Sequence, residues 1–412
     1  MTTGVLRNPD FLRFLSSHVS NEFGANITRV ALPLVAVLIL HASPLEVGAL
    51  SALQTTAFLL IGLPAGVWVD RMRKRPVMMG ADLVRFLLLG SIPLADALGL
   101  LSIQMMFVVA LLAGAAQVFN DVADQTYLPD LVLKENLTDG NAKLETVRSG
   151  GMLAGPSLGG LLVELVGAPR TLTATALASL GSLLFLGTIK EPDREPRVTE
   201  RGRLTRDIGE GLAFVWRDRL LRVIVMTTAY TNLCINGVLG LSVLFLADVV
   251  KLPPGVIGVL LMSGAVGGLL GGFTSGYLCK KYGTARVMFL AMVISSPFGL
   301  LLPMTHADWR VCFFTITSIG LSWGAMLYNV GQITYRQTVA PEHMLGRVNA
   351  TVRFVVWGTL PLGALLGGLL AQHLGVRDAL WLLMSFRLVG FLPLLFSPLP
   401  YVREFSELRA KS

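Results

Sequence analysis

Charge is scarce in this chain. Only 15% of its 412 residues are Asp, Glu, Lys or Arg, against about 25% in soluble globular domains, so the soluble class is excluded. Cysteine is as sparse: Cys234, Cys279 and Cys312 show no pair spacing, and neither a disulfide nor a metal site is expected. No Walker sequence or other nucleotide motif occurs, so ATP is not the energy source read here, and neither a cofactor nor enzymatic chemistry is expected. The opening MTTGVLRNPDFLRF lacks a separable signal peptide, so its apolar run is read as a crossing that stays in the protein.

What is present is apolar sequence in long blocks. Hydrophobic residues make up 53% of the chain, and its 43 glycines outnumber every charged type. The blocks have the length of about 20 helical residues that a bilayer core of about 30 Å requires. Seven are free of charge, among them Val47 to Val69, Val223 to Ala247 and Leu252 to Cys279. They lack period-two alternation and are too long for tilted barrel strands. The pattern predicts an all-α polytopic membrane protein with twelve crossings, at 11–40, 46–69, 77–96, 101–126, 142–167, 171–189, 221–247, 255–279, 285–305, 310–335, 346–373 and 378–397. Residues 1–189 and 221–412 then form two pseudo-symmetric six-helix bundles, joined by a cytoplasmic linker at 190–220. The linker starts charged and proline-bearing, as a flexible tether does. From Leu204 to Trp216 it reads as an amphipathic helix on the inner membrane surface.

Lys and Arg concentrate on alternate loops. Arg71, Arg73, Lys74 and Arg75, the basic stretch 190–222, Lys280, Lys281 and Arg286, Arg336, Arg347 and the tail share one side. The positive-inside rule puts that side, with both termini, in the cytoplasm and the protein in the cell inner (plasma) membrane. The net charge of +8 is therefore a topology signal. No nucleic acid is expected as a partner, because no basic helix or aromatic ladder outside the membrane offers a face.

The chain also repeats itself. With a shift of 208 (349 − 141), Asn141 falls on Asn349, Gly155 on Gly363, Gly159 and Gly160 on Gly367 and Gly368, and Gly167 on Gly375. With a shift of 210 (287 − 77), Val77 and Met78 fall on Val287 and Met288, and Gly62 and Gly66 on Gly272 and Gly276. Two related bundles of equal orientation suit a site that alternates between the two faces by rocking. Rows such as Gly151, Gly155, Gly159 and Gly264, Gly268, Gly272, Gly276 let helices approach closely. Pro156 inside such a row removes a backbone hydrogen bond and favours a bend.

Ionised groups inside a bilayer each cost roughly 2.5 to 3.5 kcal/mol on insertion scales unless a cavity or partner receives them. Those here are Glu22, Arg29, Asp82, Arg85, Asp121, Asp124, Glu145, Arg148, Arg353 and Arg387. Asp82 and Arg85 share a helix face near the cytoplasmic end, where snorkelling satisfies them. Arg29 either holds an acidic substrate group or neutralises a carboxylate. Proton coupling needs an acid that is buried or set beside a like charge, and Glu22 and the Asp121/Asp124 pair fit best. For Asp124 a gate or helix cap stands as the alternative, and Glu164 reads as interfacial. Asp70 sits at the helix end that the dipole disfavours for an acid, so it needs a partner. With Gly66, Arg71 and Arg75 it makes a latch that breaks and reforms.

That loop resembles the signature between helices 2 and 3 of the major facilitator superfamily, G-x-x-x-D-R-x-x-R-R, at Gly66, Asp70, Arg71, Lys74 and Arg75. Gly151-x-x-x-Gly155-Pro156-x-x-Gly159-Gly160 looks like the helix 5 motif of its antiporters. YLPDLV at Tyr127 to Val132 is similar to the drug-export branch that includes macrolide efflux proteins and an enterobactin exporter. The resemblance implies alternating-access export, gated at Gly66, Asp70, Arg71 and Arg75 and hinged at Gly151, Gly155, Pro156 and Gly159. The sequence departs from the pattern in two places. Gln117 lacks the arginine of the helix 4 pattern, and Gly24-Ala25 stands where Gly-Asp is frequent.

The expected substrate is an amphipathic small molecule, exchanged for protons by a monomer surrounded by membrane lipid. Glu22, Arg29, Asp121, Asp124, Glu145, Arg148 and Arg353 are the candidates for proton or substrate contact, with Gln54, Tyr230, Asn232 and Asn236 as further cavity residues. The competing expectations are a dedicated exporter of an endogenous compound such as a siderophore, a lysolipid or lipid flippase, and a non-transporting membrane sensor.

Overall fold

The computed structural model describes residues 5–133, 136–190, 204–405 and 407, without the side chains at 63, 66, 67, 70, 138, 204–208, 342, 343, 346 and 350. The described chain is helical throughout. The long helices are α1 (Pro9–Leu38), α2 (Pro44–Asp70), α3 (Lys74–Ala97), α4 (Ile103–Leu131), α5 (Leu137–Val166) and α6 (Ala168–Gly187). After the linker come α7 (Leu204–Arg217), α8 (Arg219–Leu244), α9 (Pro254–Tyr282), α10 (Thr284–Ser295), α11 (Cys312–Val339), α12 (Glu342–Leu374), α13 (Val376–Leu388) and α14 (Leu392–Leu395).

Among the described residues, eleven stretches are long and apolar enough to cross a membrane. The remaining expected crossing, α1, has the length, with 30 residues, but carries Asp10, Arg13, Glu22 and Arg29. The crossings expected at 285–305 and 378–397 are not uniform α-helices. After Ser295 the chain tightens into a 3-10 helix at Ser296–Met304, and after Leu388 into another at Val389–Phe391. Pro297, Pro303 and Pro393 lie in or just beyond these segments, and each withholds an amide from the α-helical ladder.

Local sequence chemistry sets the helix starts. Asn8 accepts from the Asp10 and Phe11 amides at 2.9 and 3.2 Å to cap α1, Ser43 and Glu46 close a capping box on α2, and Asp218 caps α8. The exits of α5 and α12 turn on Gly167 at φ 90° and Gly375 at φ 89°. Only glycine adopts that backbone without strain, so the repeat spacing carries a real constraint in both halves.

The helices fall into two compact units, residues 1–199 with 246–262, and residues 200–245 with 263–412. In the first, α1 packs on α5 and α6, α3 on α4 and α6, and α2 on α4. Phe11, Phe14, Met78, Tyr127, Leu128 and Leu186 form its core, with Phe14 edge-on to Tyr127 at 5.3 Å. In the second, α8 packs on α12 and α13, and α10 on α11, around Leu221, Ile224, Met288, Tyr328 and Val348. Met78 and Met288, one repeat apart, thus occupy the two cores.

Close packing follows the repeat as well. A Cβ on Gly155 would collide with Asn26 of α1, and one on Gly363 with the Leu233 carbonyl of α8. The expected row on α9 differs. Gly267 and Gly271, one face round, press on Ile319, Trp323 and Met326 of α11, while of the expected row Gly264 comes against Ser322 and Gly268 and Gly276 meet open space. Both rows have a four-residue step, so spacing alone does not select the face.

The segment from Leu204 is helical as expected, and it is docked: Gly211 lies against Arg347 and Thr351 of α12, Glu210 pairs with Arg347, and Val215 is buried in the second core. The charged part of the linker, 191–203, lies outside the described residues.

Candidate functional site

The first unit holds a chain of polar side chains in its interior. On α1, Ser17, His18, Asn21, Glu22 and Asn26 recur at helical spacing. On α4, Gln117, Asn120, Asp121 and Asp124 do the same, so each set lies along one side of its helix. Asp82 of α3 sits between them, fully buried, with Arg85 3% exposed.

Every oxygen of Asp82 is engaged. Asn120 Nδ2 donates to Oδ1 at 2.9 Å, and Ser182 Oγ of α6 donates to Oδ2 at 2.5 Å. Ser182 is in turn 2.8 Å from Ser17 Oγ, and Asn21 donates to Asn120 Oδ1 at 2.5 Å. Arg85 Nη1 donates to Asn21 Oδ1 and stands 4.0 Å from Asp82. Four helices are thereby joined through one satisfied network, the arrangement that makes a buried ion pair tolerable. Snorkelling does not describe Asp82 and Arg85: both point inward, because their partners come from α1, α4 and α6.

A second group lies against this one. His18 Nδ1 and Asp124 Oδ1 are 3.1 Å apart, with side chains 8% and 15% exposed. Gln117 Nε2 donates to Asp121 Oδ1 at 2.6 Å. Glu22, Asp124 and Arg85 act electrostatically on Asp121. Glu22, Asp82, Asp121 and Asp124 therefore share one region with the fixed cation Arg85. Among the described residues no cluster of His, Cys, Asp or Glu has the geometry to hold a metal ion.

The other expected site residues are placed as follows. Arg29 is exposed and donates to Asn26 Oδ1 at 3.2 Å. Glu145 and Arg148 do share a face of α5, 3.8 Å apart, but with side chains 68% and 50% exposed they are not enclosed. Arg353 lies over the Trp357 ring at 4.3 Å. Gln54 is half-buried on α2, its carbonyl facing Gly114. Tyr230 donates to the Phe386 carbonyl at 2.7 Å, and Asn236 to the Asn232 carbonyl at 2.9 Å. Gly151, Gly155 and Gly159 line up on α1 against Glu22, Asn26 and Ile27, and α5 continues through Pro156. Glu164, read as interfacial, accepts from the Gly255 amide at 2.8 Å.

In the loop after α2, Arg71 is exposed. Lys74 donates to Asp130 and to the Thr126 carbonyl at 2.8 and 2.7 Å, and Arg75 to the Gly187 carbonyl at 2.8 Å. The side-chain surroundings of Gly66 and Asp70 are outside the described residues.

Sequence reasoning did not single out His18, Asn21, Asn120 and Ser182. The signal available was the polar spacing Ser17, His18, Asn21 within an otherwise apolar α1.

Helices of membrane-crossing length that enclose charged groups in their bundle are the build of a polytopic membrane protein. The sequence pattern of the Major Facilitator Superfamily matches residues 14–360 and again 235–411, and the chain belongs to that superfamily. It is 30% identical over 393 residues to the multidrug efflux pump Tap of Mycolicibacterium fortuitum, covering 91% of this chain and 92% of Tap. It is 29% identical over 367 residues to the enterobactin exporter EntS of Escherichia coli O1:K1 / APEC, covering 85% and 82%. Its fold matches the crystal structure of a mutant of the nucleoside transporter NupG with a TM-score of 0.80 over 94% of this chain and 99% of that one, at 12% identity. These relatives put the chain with the drug-export branch of the superfamily and make it a transporter rather than an enzyme.

Proposed function

We propose that the protein is a secondary active exporter of amphipathic drugs or antibiotics that works by proton antiport and alternating access. The observation that carries this reading is the half-buried acid group of α1 and α4, Glu22, Asp121 and Asp124, beside the buried Arg85. Several carboxyl groups around one fixed cation in a medium of low dielectric hold and release protons as a set. Likeness to Tap over nine-tenths of the chain supports outward transport of drugs.

In this reading α1 is the twelfth crossing, with Glu22 set among the polar groups of the bundle and Arg29 left open to substrate. The chain then forms two six-helix bundles, 1–189 and 221–412, with the linker and both termini in the cytoplasm, in the inner membrane. Asp70 with Gly66, Arg71 and Arg75 serves as the cytoplasmic latch, and Gly151, Gly155, Pro156 and Gly159 as the sliding face of α5. Arg29, Glu145, Arg148, Arg353, Gln54, Tyr230, Asn232 and Asn236 are the proposed contacts for substrate.

The test is uptake of a panel of amphipathic dyes and drugs by proteoliposomes, with and without an imposed proton gradient. Gradient-dependent uptake of several unrelated compounds is the expected result. Uptake of none, by inserted and folded protein, would refute the multidrug reading. The likeness to EntS then favours the second reading, export of one endogenous compound such as a siderophore.

A further inference from the structure

We infer that His18 and Asp124 form the proton-holding pair of the transport cycle, with Nε2 of His18 as the atom that gains and loses the proton. This rests on the proton-antiport reading above.

The geometry divides the two ring nitrogens by task. Nδ1 is committed to Asp124 Oδ1 at 3.1 Å. Nε2 is enclosed without a hydrogen bond of full geometry, and the Leu144 backbone of α5 stands within hydrogen-bonding reach of the ring; the residue as a whole is 7% exposed. A buried polar atom so weakly partnered calls for a reason. Imidazole supplies one, because Nε2 changes protonation while the Nδ1 bond to the carboxylate persists. The carboxylate fixes the tautomer and faces the cation when it forms.

The surroundings fit a charge that comes and goes. On α1, Glu22 lies one turn beyond His18 and acts on it electrostatically. On α4, Asp121 lies one turn before Asp124 and interacts with both Glu22 and Asp124. From α3, Asp82 is in the field of Asp124, and Arg85 balances Asp82. From α6 the network receives only the hydroxyl of Ser182. From α5 the backbone of Leu144 approaches the ring, and Glu145 and Arg148 pair with each other on the exposed side. A proton on His18 adds a second cation to a region of four acids, and its loss leaves Glu22 and Asp121 open to the cationic part of an amphipathic substrate. The site therefore answers proton and substrate in opposite senses.

The experiment compares wild type, His18→Gln, Asp124→Asn and Asp124→Glu in proteoliposomes, using ethidium as the probe. The readouts are gradient-driven uptake and exchange at equal pH. Gln and Asn variants are expected to lose about tenfold or more of gradient-driven uptake and clearly less of exchange, and Asp124→Glu to recover coupling. Retained coupling in His18→Gln overturns the inference, as does an equal loss of exchange, which marks a structural role. If wild type shows no gradient-driven uptake, the antiport reading fails by itself. The pair is then judged by melting temperature between about pH 5 and pH 8: a smaller pH dependence in His18→Gln than in wild type upholds it, and identical profiles overturn it.

Discussion

Asp82 of α3 accepts from Ser182 of α6 at 2.5 Å, while its other oxygen accepts from Asn120 of α4 at 2.9 Å. One carboxylate therefore ties three helices together, and through Asn21 and Arg85 it reaches the fourth. In a bilayer, where lipid competes equally for apolar surface, such polar ties weigh more in specifying which helices meet than they do in a water-soluble core.

Removing one half of the buried pair should be worse than removing both. Asp82→Ala leaves the Arg85 guanidinium enclosed without a counter-charge, a loss of about 3 to 5 kcal/mol for pairs of this kind. Asp82→Asn with Arg85→Gln keeps shape and hydrogen bonding, so the double variant should melt above Asp82→Ala. Thermal unfolding in detergent measures this. A double variant that melts below Asp82→Asn and Arg85→Gln taken singly would show that the pair is not coupled.

The contact of α5 with α1 makes a sharper steric prediction. A methyl group at Gly155 would overlap Asn26, whereas one at Gly150 meets nothing within 4 Å. Gly155→Ala should lower stability by about 1 to 3 kcal/mol, the usual range for overpacking, with Gly150→Ala near neutral. Gly363→Ala, facing the Leu233 carbonyl, should repeat the Gly155 result in the second unit. Melting curves for the three variants suffice, and a neutral Gly155→Ala would mean that α1 and α5 part easily.

Much of this was legible because it is local or periodic. The long apolar blocks gave the helices, and the 208-residue repeat led from Gly155 to Gly363 and from Gly167 to Gly375, positions that share packing role and backbone angle. The depth of Asp82 was not legible. Its partners Asn120 and Ser182 are 38 and 100 residues away, and His18 is 106 residues from Asp124. Helix periodicity says that Asp82 and Arg85 share a face, but only the packing of α1, α4 and α6 decides whether that face looks inward. The α9 glycines were legible only in part for a related reason, since Gly264 of the expected row approaches Ser322 while Gly267 and Gly271, on another face, make the tighter contacts.

Asp70 is predicted to act on rate rather than on binding. It ends α2, where the helix dipole disfavours an acid, so in the proposed latch its interactions form in one state of the cycle and are absent in the other. Asp70→Asn should slow transport while leaving dye affinity within about twofold, as a change confined to gating would. Equilibrium binding measured beside turnover separates the two, and a parallel loss of binding would remove Asp70 from the gate.

Asp121 offers a test of what the site prefers to carry. Its carboxylate receives Gln117 at 2.6 Å and stands in the field of Glu22 and Asp124, so the neighbourhood is acid-rich even after Arg85 is counted. Asp121→Asn keeps the shape and removes one negative charge. For two unit charges about 4 Å apart near a protein surface the interaction is about 4 kcal/mol, and solvent and neighbouring groups reduce what is realised. Even a third of it, about 1.4 kcal/mol, is a tenfold change in affinity. Cationic dyes should therefore bind about tenfold more weakly to Asp121→Asn, while zwitterionic and anionic compounds bind as before or better. Binding titrations with one compound of each charge decide it. An equal loss for all three would mean that Asp121 holds the fold of α4 through Gln117, and charge selection would then have to come from Glu22 or from the arginines Arg29 and Arg353.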